Sequence, residues 1–196
     1  MPTVEELGRT VKALREKQVE FESRLSSPSV APRRTVVTLE RINATEFDLE
    51  AAIFPPAVRV YKSGTQSIPN AMAFTVVTFD LENYDTHRMH DTTTNTGRLT
   101  VPFSGIYRIW THTDWDNAVF PRLAQRFRLN GVTYIDSAET FTAASPPFTA
   151  LTLYGEYSFT KGDYVELLVA HNHASASQNL NANNLTAFGM SYLRPK

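Results

Sequence analysis

Five histidines and one pair of aspartates are the side chains whose spacing comes closest to a reactive site. His87, His90 and Asp91 form H-x-x-H-D in a segment of turn-like composition. His171 and His173 stand two apart in a strand-like run, which predicts that both face the same way. Two histidines hold a metal ion only when carboxylates or a third histidine converge on them, and no neighbouring residues supply these. The sequence therefore predicts no metal site. His171 and His173 are the first candidate ligands if a metal ion does bind.

Motifs for catalysis are absent from the sequence. Asp114 and Asp116 flank Trp115, but a carboxylate pair hydrolyses glycosides only across a cleft that holds the sugar. There is no G-x-S-x-G element, no phosphate-binding glycine loop and no cysteine for thiolate chemistry. A glycan depolymerase is the enzymatic alternative, although 196 residues leave little room for an elongated β-helix. We therefore predict a non-enzymatic protein with no catalytic residues and no cofactor.

The composition also limits the classes of partner that the protein is expected to bind. The 196 residues carry a formal net charge of −1 and 42% apolar residues, as in a soluble globular protein. The charge balance gives no reason to expect nucleic acid as a partner. No apolar stretch is long enough to span a bilayer, so we predict no membrane insertion. The first residues, Met-Pro-Thr-Val-Glu-Glu, do not resemble a secretion signal, and we expect assembly in a cytoplasm without export.

The N-terminal segment has the heptad pattern of a coiled coil. Thr3 and Glu6 form a capping box that begins a helix, and Pro28 cannot continue it. Because a helix this short is marginal alone in water, its apolar stripe needs a partner. The predicted coiled-coil positions are Val4, Leu7, Val11, Leu14, Gln18, Phe21 and Leu25.

The segment after this helix separates it from the rest of the chain. Pro28, Pro32 and the polar residues between them have the composition of a linker, which favours a coiled coil over a single helix packed on its own head. Residues 35–56 fit strand or helix spacing equally well. We divide the chain into a stalk or docking helix at 1–27, a linker or neck at 28–56 and a head at 57–196.

The head has the pattern of an all-β domain, in which short apolar runs alternate with turn residues. Asn130-Gly131 predicts a type I′ hairpin, and Lys161-Gly162-Asp163 predicts a second turn. The polar stretch 173–184 is typical of a surface loop. The predicted strands are 57–62, 73–80, 98–102, 105–115, 122–129, 132–136, 148–160, 163–171 and 185–193.

The strand at 105–115 has two faces of different character. Tyr107, Ile109, Thr111 and Thr113 alternate along one face, which we expect to fill the core. The opposite face is too apolar for free solvent and too polar for a core, and tryptophan and arginine are enriched where subunits meet. Cover by a loop of the same chain is the alternative. The trimer-interface candidates are Ile106, Arg108, Trp110 and His112.

Several elements of the head occur in the order typical of one family. They comprise an aromatic residue before an aspartate, a leucine followed by G-x-Y-x-I, and a G-D-x-V-x-L strand. In this order and spacing the head resembles the C1q/tumour necrosis factor family of globular domains, in the variant of bacteriophage and bacterial members. The matching positions are Phe79, Asp85, Leu99, Gly105, Tyr107, Ile109, Gly162, Asp163 and Val165.

This resemblance implies a fold and an assembly. The expected fold is mainly β, a jelly-roll β-sandwich of about ten antiparallel strands with an N-terminal α-helix, and the expected assembly is a homotrimer. It suggests a bacteriophage virion protein of the tail fibre or minor tail type, with a head for host-surface attachment. The partners would be its own copies, other virion proteins through the N-terminal segment, and a host cell-surface glycan or protein. The alternatives are a capsid head fibre or decoration protein and a bacterial lectin-like surface module.

Overall fold

The part of the chain that the structure describes is almost entirely β. The computed structural model describes Lys12, Arg15, Glu16 and residues 54–116, 119–142, 149–173 and 177–196. The chain divides into two units, Met1–Arg41 and Ile42–Lys196. In the first unit, the three described residues have helical backbone and exposed side chains. All seven predicted coiled-coil positions, from Val4 to Leu25, lie outside the described residues.

Twelve strands occur among the described residues, and every pair of neighbours is antiparallel. The number exceeds the expected ten because short ladders count as separate strands. The strands are β1 (Ala57–Lys62), β2 (Gln66–Pro69), β3 (Thr75–Val76), β4 (Leu81–Asp85), β5 (Arg98–Thr100), β6 (Gly105–Trp115), β7 (Leu123–Leu129), β8 (Thr133–Thr140), β9 (Thr149–Phe159), β10 (Tyr164–His171), β11 (Ser177–Leu180) and β12 (Asn183–Arg194).

These strands form two sheets that pack face to face. In the large sheet, β12 lies between β1 and β6, β4 pairs with the outer side of β1, and β9 pairs with the outer side of β6. The short ladder of β2 and β11 continues this sheet beside the end of β6. In the small sheet, β10 lies between β7 and the short strands β3 and β5, and β8 pairs with β7. The described residues thus form an antiparallel jelly roll.

The core is filled by the inner faces of the two sheets. Along β6, buried and more exposed residues alternate strictly, and Tyr107, Ile109, Thr111 and Thr113 are all buried. This confirms the predicted inner face of that strand. Phe127 of the small sheet stacks on Phe188 of the large one, with ring centres 5.8 Å apart. Each such buried aromatic ring contributes about 1.5–3 kcal/mol of hydrophobic stabilisation.

The predicted hairpin at Asn130-Gly131 is confirmed by its backbone. Asn130 and Gly131 have φ angles of 51° and 72°, the left-handed values that a type I′ turn requires at both central residues. The amide of Val132 donates to the carbonyl of Leu129 at 3.0 Å and closes the turn between β7 and β8.

The prediction of a continuous strand at 73–80 is wrong, because only Thr75 and Val76 pair as strand β3. Buried Lys62 donates from Nζ to the carbonyl of Thr78 at 2.6 Å, and burial lowers the pKa of this lysine. Gln66 Oε1 accepts from the backbone amide of Thr78 at 3.1 Å, and Phe79 donates to the carbonyl of Thr96. Side chains and a loop therefore supply the hydrogen-bond partners that a neighbouring strand would otherwise provide.

Three strands were not predicted. The stretch 173–184 is not only a surface loop, since β11 forms within it and β12 begins at Asn183. Leu180 is its buried apolar anchor, and β11 pairs with the unpredicted β2. The edge strand β4 was also missed, because its side chains are exposed or nearly so. Among the described residues, the model contains no helix with the length and apolarity needed to cross a membrane.

Candidate functional site

The outer face of the large sheet has one row of side chains that crosses five strands. Cross-strand pairing places Tyr84 beside Arg59, Arg59 beside Gly189, Gly189 beside Trp110 and Trp110 beside Tyr154. We call this set the Trp110 row. Paired residues in neighbouring strands project from the same face, so these side chains form one continuous surface feature.

Gly189 lets the Trp110 indole lie against the sheet. A Cβ at this position would overlap the indole atoms Cε2, Cζ2 and Nε1, so only glycine leaves room for the ring. The Arg59 guanidinium stands 5.8 Å from the centre of the indole, within reach of a cation–π interaction. The same guanidinium donates to the carbonyl of Asn184 at 2.9 Å. The tryptophan is therefore held in one position while staying partly exposed.

Charged side chains beside the Trp110 row are matched by partners on the same face. Arg108 pairs with Glu156 at 2.7 Å, and both are about half exposed, at 53% each. His112 makes a 3.1 Å hydrogen bond from Nδ1 to Thr152 Oγ1. The face therefore combines paired polar groups with uncovered aromatic surface.

Apolar surface on this face remains open in the described part of the chain. Tyr154 is 66% exposed, Leu185 55% and Tyr84 46%, and Trp110 and Ile106 are half-buried. The sequence-predicted candidates Ile106, Arg108, Trp110 and His112 alternate along β6 on this outer side. Sequence reasoning missed Arg59, Tyr84 and Tyr154, which reach the same face from β1, β4 and β9. The alternation in β9 was a usable signal, but only strand register assigns it to this face.

His171 and His173 do not form a pair of metal ligands. Strand β10 ends at His171, so the prediction that both lie on one strand face is wrong. His171 is fully buried, and its Nε2 bonds the carbonyl of Ile68 at 2.9 Å. Its Nδ1 accepts the backbone amide of His173 at 3.1 Å. Both nitrogens of His171 are thus engaged within the protein.

The H-x-x-H-D segment connects β4 to β5. His90 is buried and bonds Glu82 Oε1 from Nδ1 at 2.9 Å and the carbonyl of Thr96 from Nε2 at 3.1 Å. Asp91 Oδ1 accepts bonds from its own loop, at Thr93 and Thr94. Within the described ranges, no group of three or more histidines and carboxylates is arranged to hold a metal ion.

The tryptophan between the two aspartates does not offer a sugar platform. Trp115 is 1% exposed and packs edge-on against Phe120 and His171 at the end of the core. The Asp114 carboxylate accepts from Asn181 Nδ2 at 3.3 Å.

The apolar residues that match the family pattern lie in the core. Phe79, Leu99, Tyr107, Ile109 and Val165 are buried in the core. Tyr107 donates from its hydroxyl to the carbonyl of Phe103 at 2.8 Å, and burial raises its pKa.

The polar and glycine positions of the motif shape turns and close contacts. Asp85 accepts from the backbone amides of His87 and His90. Asp163 accepts from the amide of Thr160 at 2.7 Å in the turn that contains Gly162, whose φ is +90°. At Gly105, a Cβ would meet the Tyr192 ring.

Comparison with solved structures finds this fold in tumour necrosis factor-type domains. Murine APRIL at pH 5.0 aligns with a TM-score of 0.55 and 13% identity over 71% of this chain and 99% of its own. Eiger TNF from S. frugiperda aligns with a TM-score of 0.52 and 12% identity over 72% of this chain and 95% of its own. The globular domain of zebrafish complement 1qA aligns with a TM-score of 0.48 and 19% identity over 72% and 99%.

The head therefore has the C1q/TNF-like jelly-roll fold. At these identities the first two likenesses show the fold alone. No family model matches the sequence, and no curated protein matches it either.

Proposed function

We propose that this chain is a non-enzymatic bacteriophage virion protein of the tail fibre or minor tail type. It assembles as a homotrimer through the outer face of the large sheet, and its head attaches to the host surface. The observation that carries the assembly is the Trp110 row, one band of aromatic and arginine side chains across five strands.

The composition of this face favours a protein partner. An antiparallel sheet that faces water usually presents polar side chains on that side. This one presents Tyr84, Trp110 and Tyr154 around a glycine, with Arg59 beside the indole. Tyrosine, tryptophan and arginine are the residues most enriched in the buried centres of protein interfaces. Packing of this face against two neighbouring copies about a three-fold axis would bury the aromatic rings and leave the Arg108–Glu156 pair at the rim.

Two of the five histidines are held in hydrogen bonds that leave them no free nitrogen for catalysis. A general base needs a free ring nitrogen within reach of its substrate. His90 and His171 both use their two ring nitrogens inside the head.

The virion assignment rests on the sequence. The resemblance of residues 79–102 to phage and bacterial members of the family supports it, and the heptad of residues 4–25 suits attachment to a particle. A capsid head fibre or decoration protein would use the same two features, so the location on the particle distinguishes the alternatives.

Light scattering of the full chain tests the assembly. We expect a mass of about three times the 22.0 kDa chain. Tyr154→Arg places a charge at the β9 end of the Trp110 row, within the proposed interface, and should release monomers. Val132→Arg is the matched control, because Val132 is 79% exposed in the turn between β7 and β8. A monomeric wild type, or equal behaviour of the two variants, would refute the proposed assembly.

Two measurements test the remaining parts of the proposal. Electron microscopy of particles labelled with an antibody to the head should place the label on the tail, and label on the capsid would favour the head-fibre alternative. Incubation of the purified protein with host polysaccharide should release no reducing sugar. Sustained release would show turnover and reject the non-enzymatic assignment.

A further inference from the structure

A cleft of about 410 Å³ opens beside the small sheet, away from the Trp110 row. One wall is the loop between β4 and β5, which includes Arg88 and Asp91. The other is formed by β5 and the first residue of β10, Tyr164, which pairs with Thr100. The volume lies within the range of about 300–1,000 Å³ that is typical of small-ligand sites.

Two guanidinium groups line this cleft, and each has N–H donors that make no hydrogen bond within the described chain. Arg88 is exposed and has no hydrogen bond or ion pair to the described residues. Arg98 lies 4.1 Å from the centre of the Tyr164 ring and donates from Nε to Glu166 at 3.2 Å. Its terminal groups Nη1 and Nη2 make no hydrogen bond within the described chain.

The nearby carboxylate does not neutralise these cations. One oxygen of the buried Glu166 carboxylate accepts a hydrogen bond from Arg98. The other oxygen accepts two hydrogen bonds from Arg128, at 3.0 and 2.8 Å. Among the residues that line the cleft, the guanidiniums of Arg88 and Arg98 outnumber the one carboxylate, that of Asp91. Arginine donors of this kind bind carboxylates in a planar, two-point geometry.

The rest of the lining suits hydroxyl groups. Thr94, Asn95 and Thr100, whose side chains carry hydroxyl and amide groups, also line the cleft. Asp91 Oδ1 accepts hydrogen bonds from Thr93 and Thr94, which lower the pKa of this carboxyl to about 2, and its Oδ2 accepts no hydrogen bond from the described residues. A bare anion would be repelled by this ionised carboxylate, whereas a ligand with both an anionic group and hydroxyls satisfies the arginines and Asp91 together.

The loop wall is held in place before any ligand arrives. Arg88 and Asn95 both have φ angles of 53°, which residues other than glycine keep only when their surroundings hold them there. Buried His90 supplies that fixation through its bonds to Glu82 and to the carbonyl of Thr96. A fixed site loses less conformational entropy when a ligand binds.

We propose that this cleft binds a carboxylated saccharide. The carboxylate lies between Arg88 and Arg98, and Asp91 and Asn95 accept from the sugar hydroxyls. The inference rests on the proposed function, since it names the chemical class of the host-surface ligand that the head recognises.

Isothermal titration of the full chain tests this site. The carboxylated probes are tri-galacturonate and N-acetylneuraminic acid, with maltotriose as the neutral sugar and inorganic phosphate as the bare anion. We expect at least one carboxylated probe to bind more tightly than maltotriose and phosphate. Arg88→Gln, which breaks no hydrogen bond or ion pair among the described residues, should weaken that binding at least tenfold. Arg194→Gln removes the same charge from the exposed end of β12 and should leave the binding unchanged.

Each other outcome overturns the proposal. Absence of binding by both carboxylated probes rejects the cleft, as does equal loss of affinity in the two variants. Equal binding of phosphate would indicate a simple anion site, and equal binding of maltotriose a neutral-sugar site. Light scattering of the same samples separates the two proposals. A trimer that binds no saccharide rejects only the cleft, and a monomer that binds saccharide through Arg88 rejects only the assembly.

Discussion

The indole of Trp110 occupies the space that a Cβ on Gly189 would fill, because the two residues are directly paired across β6 and β12. The ring therefore lies along the sheet and reaches toward Arg59. Removal of the glycine would force the ring to move, and removal of the ring would leave a flat, weakly contacting face.

Gly189→Ala should displace the indole and weaken self-association by about 1–3 kcal/mol, the usual effect of an added methyl group in a close contact. The tryptophan emission should shift to longer wavelength as Trp110 moves into water, while Trp115 stays buried. Gly64→Ala is the control, since a Cβ there meets nothing within 4 Å. Identical emission spectra and dissociation midpoints for the two variants would contradict this account.

Trp110→Ala should cost at least about 2 kcal/mol of trimer stability, the scale of an interface hot spot. The measurement is the protein concentration at which sedimentation velocity shows half-dissociation. The head itself should keep its fold, because Trp110 is on the outer face and is not part of the core. An unaltered midpoint would remove this residue from the interface.

Glu166→Gln should lower the free energy of unfolding of the head by about 2 kcal/mol. The buried carboxylate holds Arg98 and Arg128 together, and hydrogen bonds to charged groups are worth about 1.5–3 kcal/mol. Denaturation with urea measures the loss. Glu139→Gln, which removes an exposed pair with Arg122, should cause a much smaller change. Equal losses would show that burial of the Glu166 pair adds nothing.

Stability of the head should fall as the pH drops below about 6.5, in part through His171. Burial lowers the pKa of this histidine from its usual 6.5, so the unfolded chain takes up the proton more readily than the folded one. The stability that neutral His171 contributes is fully present above about pH 6.5 and is lost as the pH falls toward and through the folded-state pKa. Thermal unfolding between about pH 7.5 and pH 5.5 reports the slope. His171→Gln should flatten that slope, and an unchanged slope would assign the pH dependence to other groups.

Leu14→Asp should weaken assembly, or incorporation into the particle, if the N-terminal heptad associates. A charge at a d position opposes burial of the apolar stripe, and we expect dissociation at a concentration at least about tenfold higher, or about 1.4 kcal/mol. Lys12→Asp introduces the same residue at an exposed position and serves as the control. Unchanged light scattering together with normal incorporation would exclude the stalk from assembly.

Strand boundaries were predictable where alternation is strict. The predicted ranges 57–62 and 105–115 coincide with β1 and β6, because one side of each strand is buried and the other is not. Strand β4 has exposed side chains, and Leu180 is the one buried residue of β11, so neither shows a period of two. Short strands held mainly by hydrogen bonds leave little trace in a hydrophobic pattern.

The candidate surfaces were predictable only within single strands. Trp110 could be assigned to an outer face from β6 alone, but its neighbours Arg59 and Tyr154 depend on the register of β1 and β9. The cleft depends on long-range strand pairing even more than the Trp110 row does. Arg98 meets Tyr164 because β5 pairs with the start of β10, and no local periodicity encodes that pairing. Long-range register comes from packing of the whole domain.

The central place of β12 has a consequence for synthesis on the ribosome. This strand is the last of the described chain, yet it joins β1 to β6, with Ala57 paired to Ser191. Translation adds about 5–20 residues per second, so the N-terminal strands of the head wait several seconds for their neighbour. Until β12 emerges, Gly189 is missing and the Trp110 row does not exist. In the proposed assembly, nascent heads on one messenger therefore lack the surface that would join them, and this surface forms only after the head is complete.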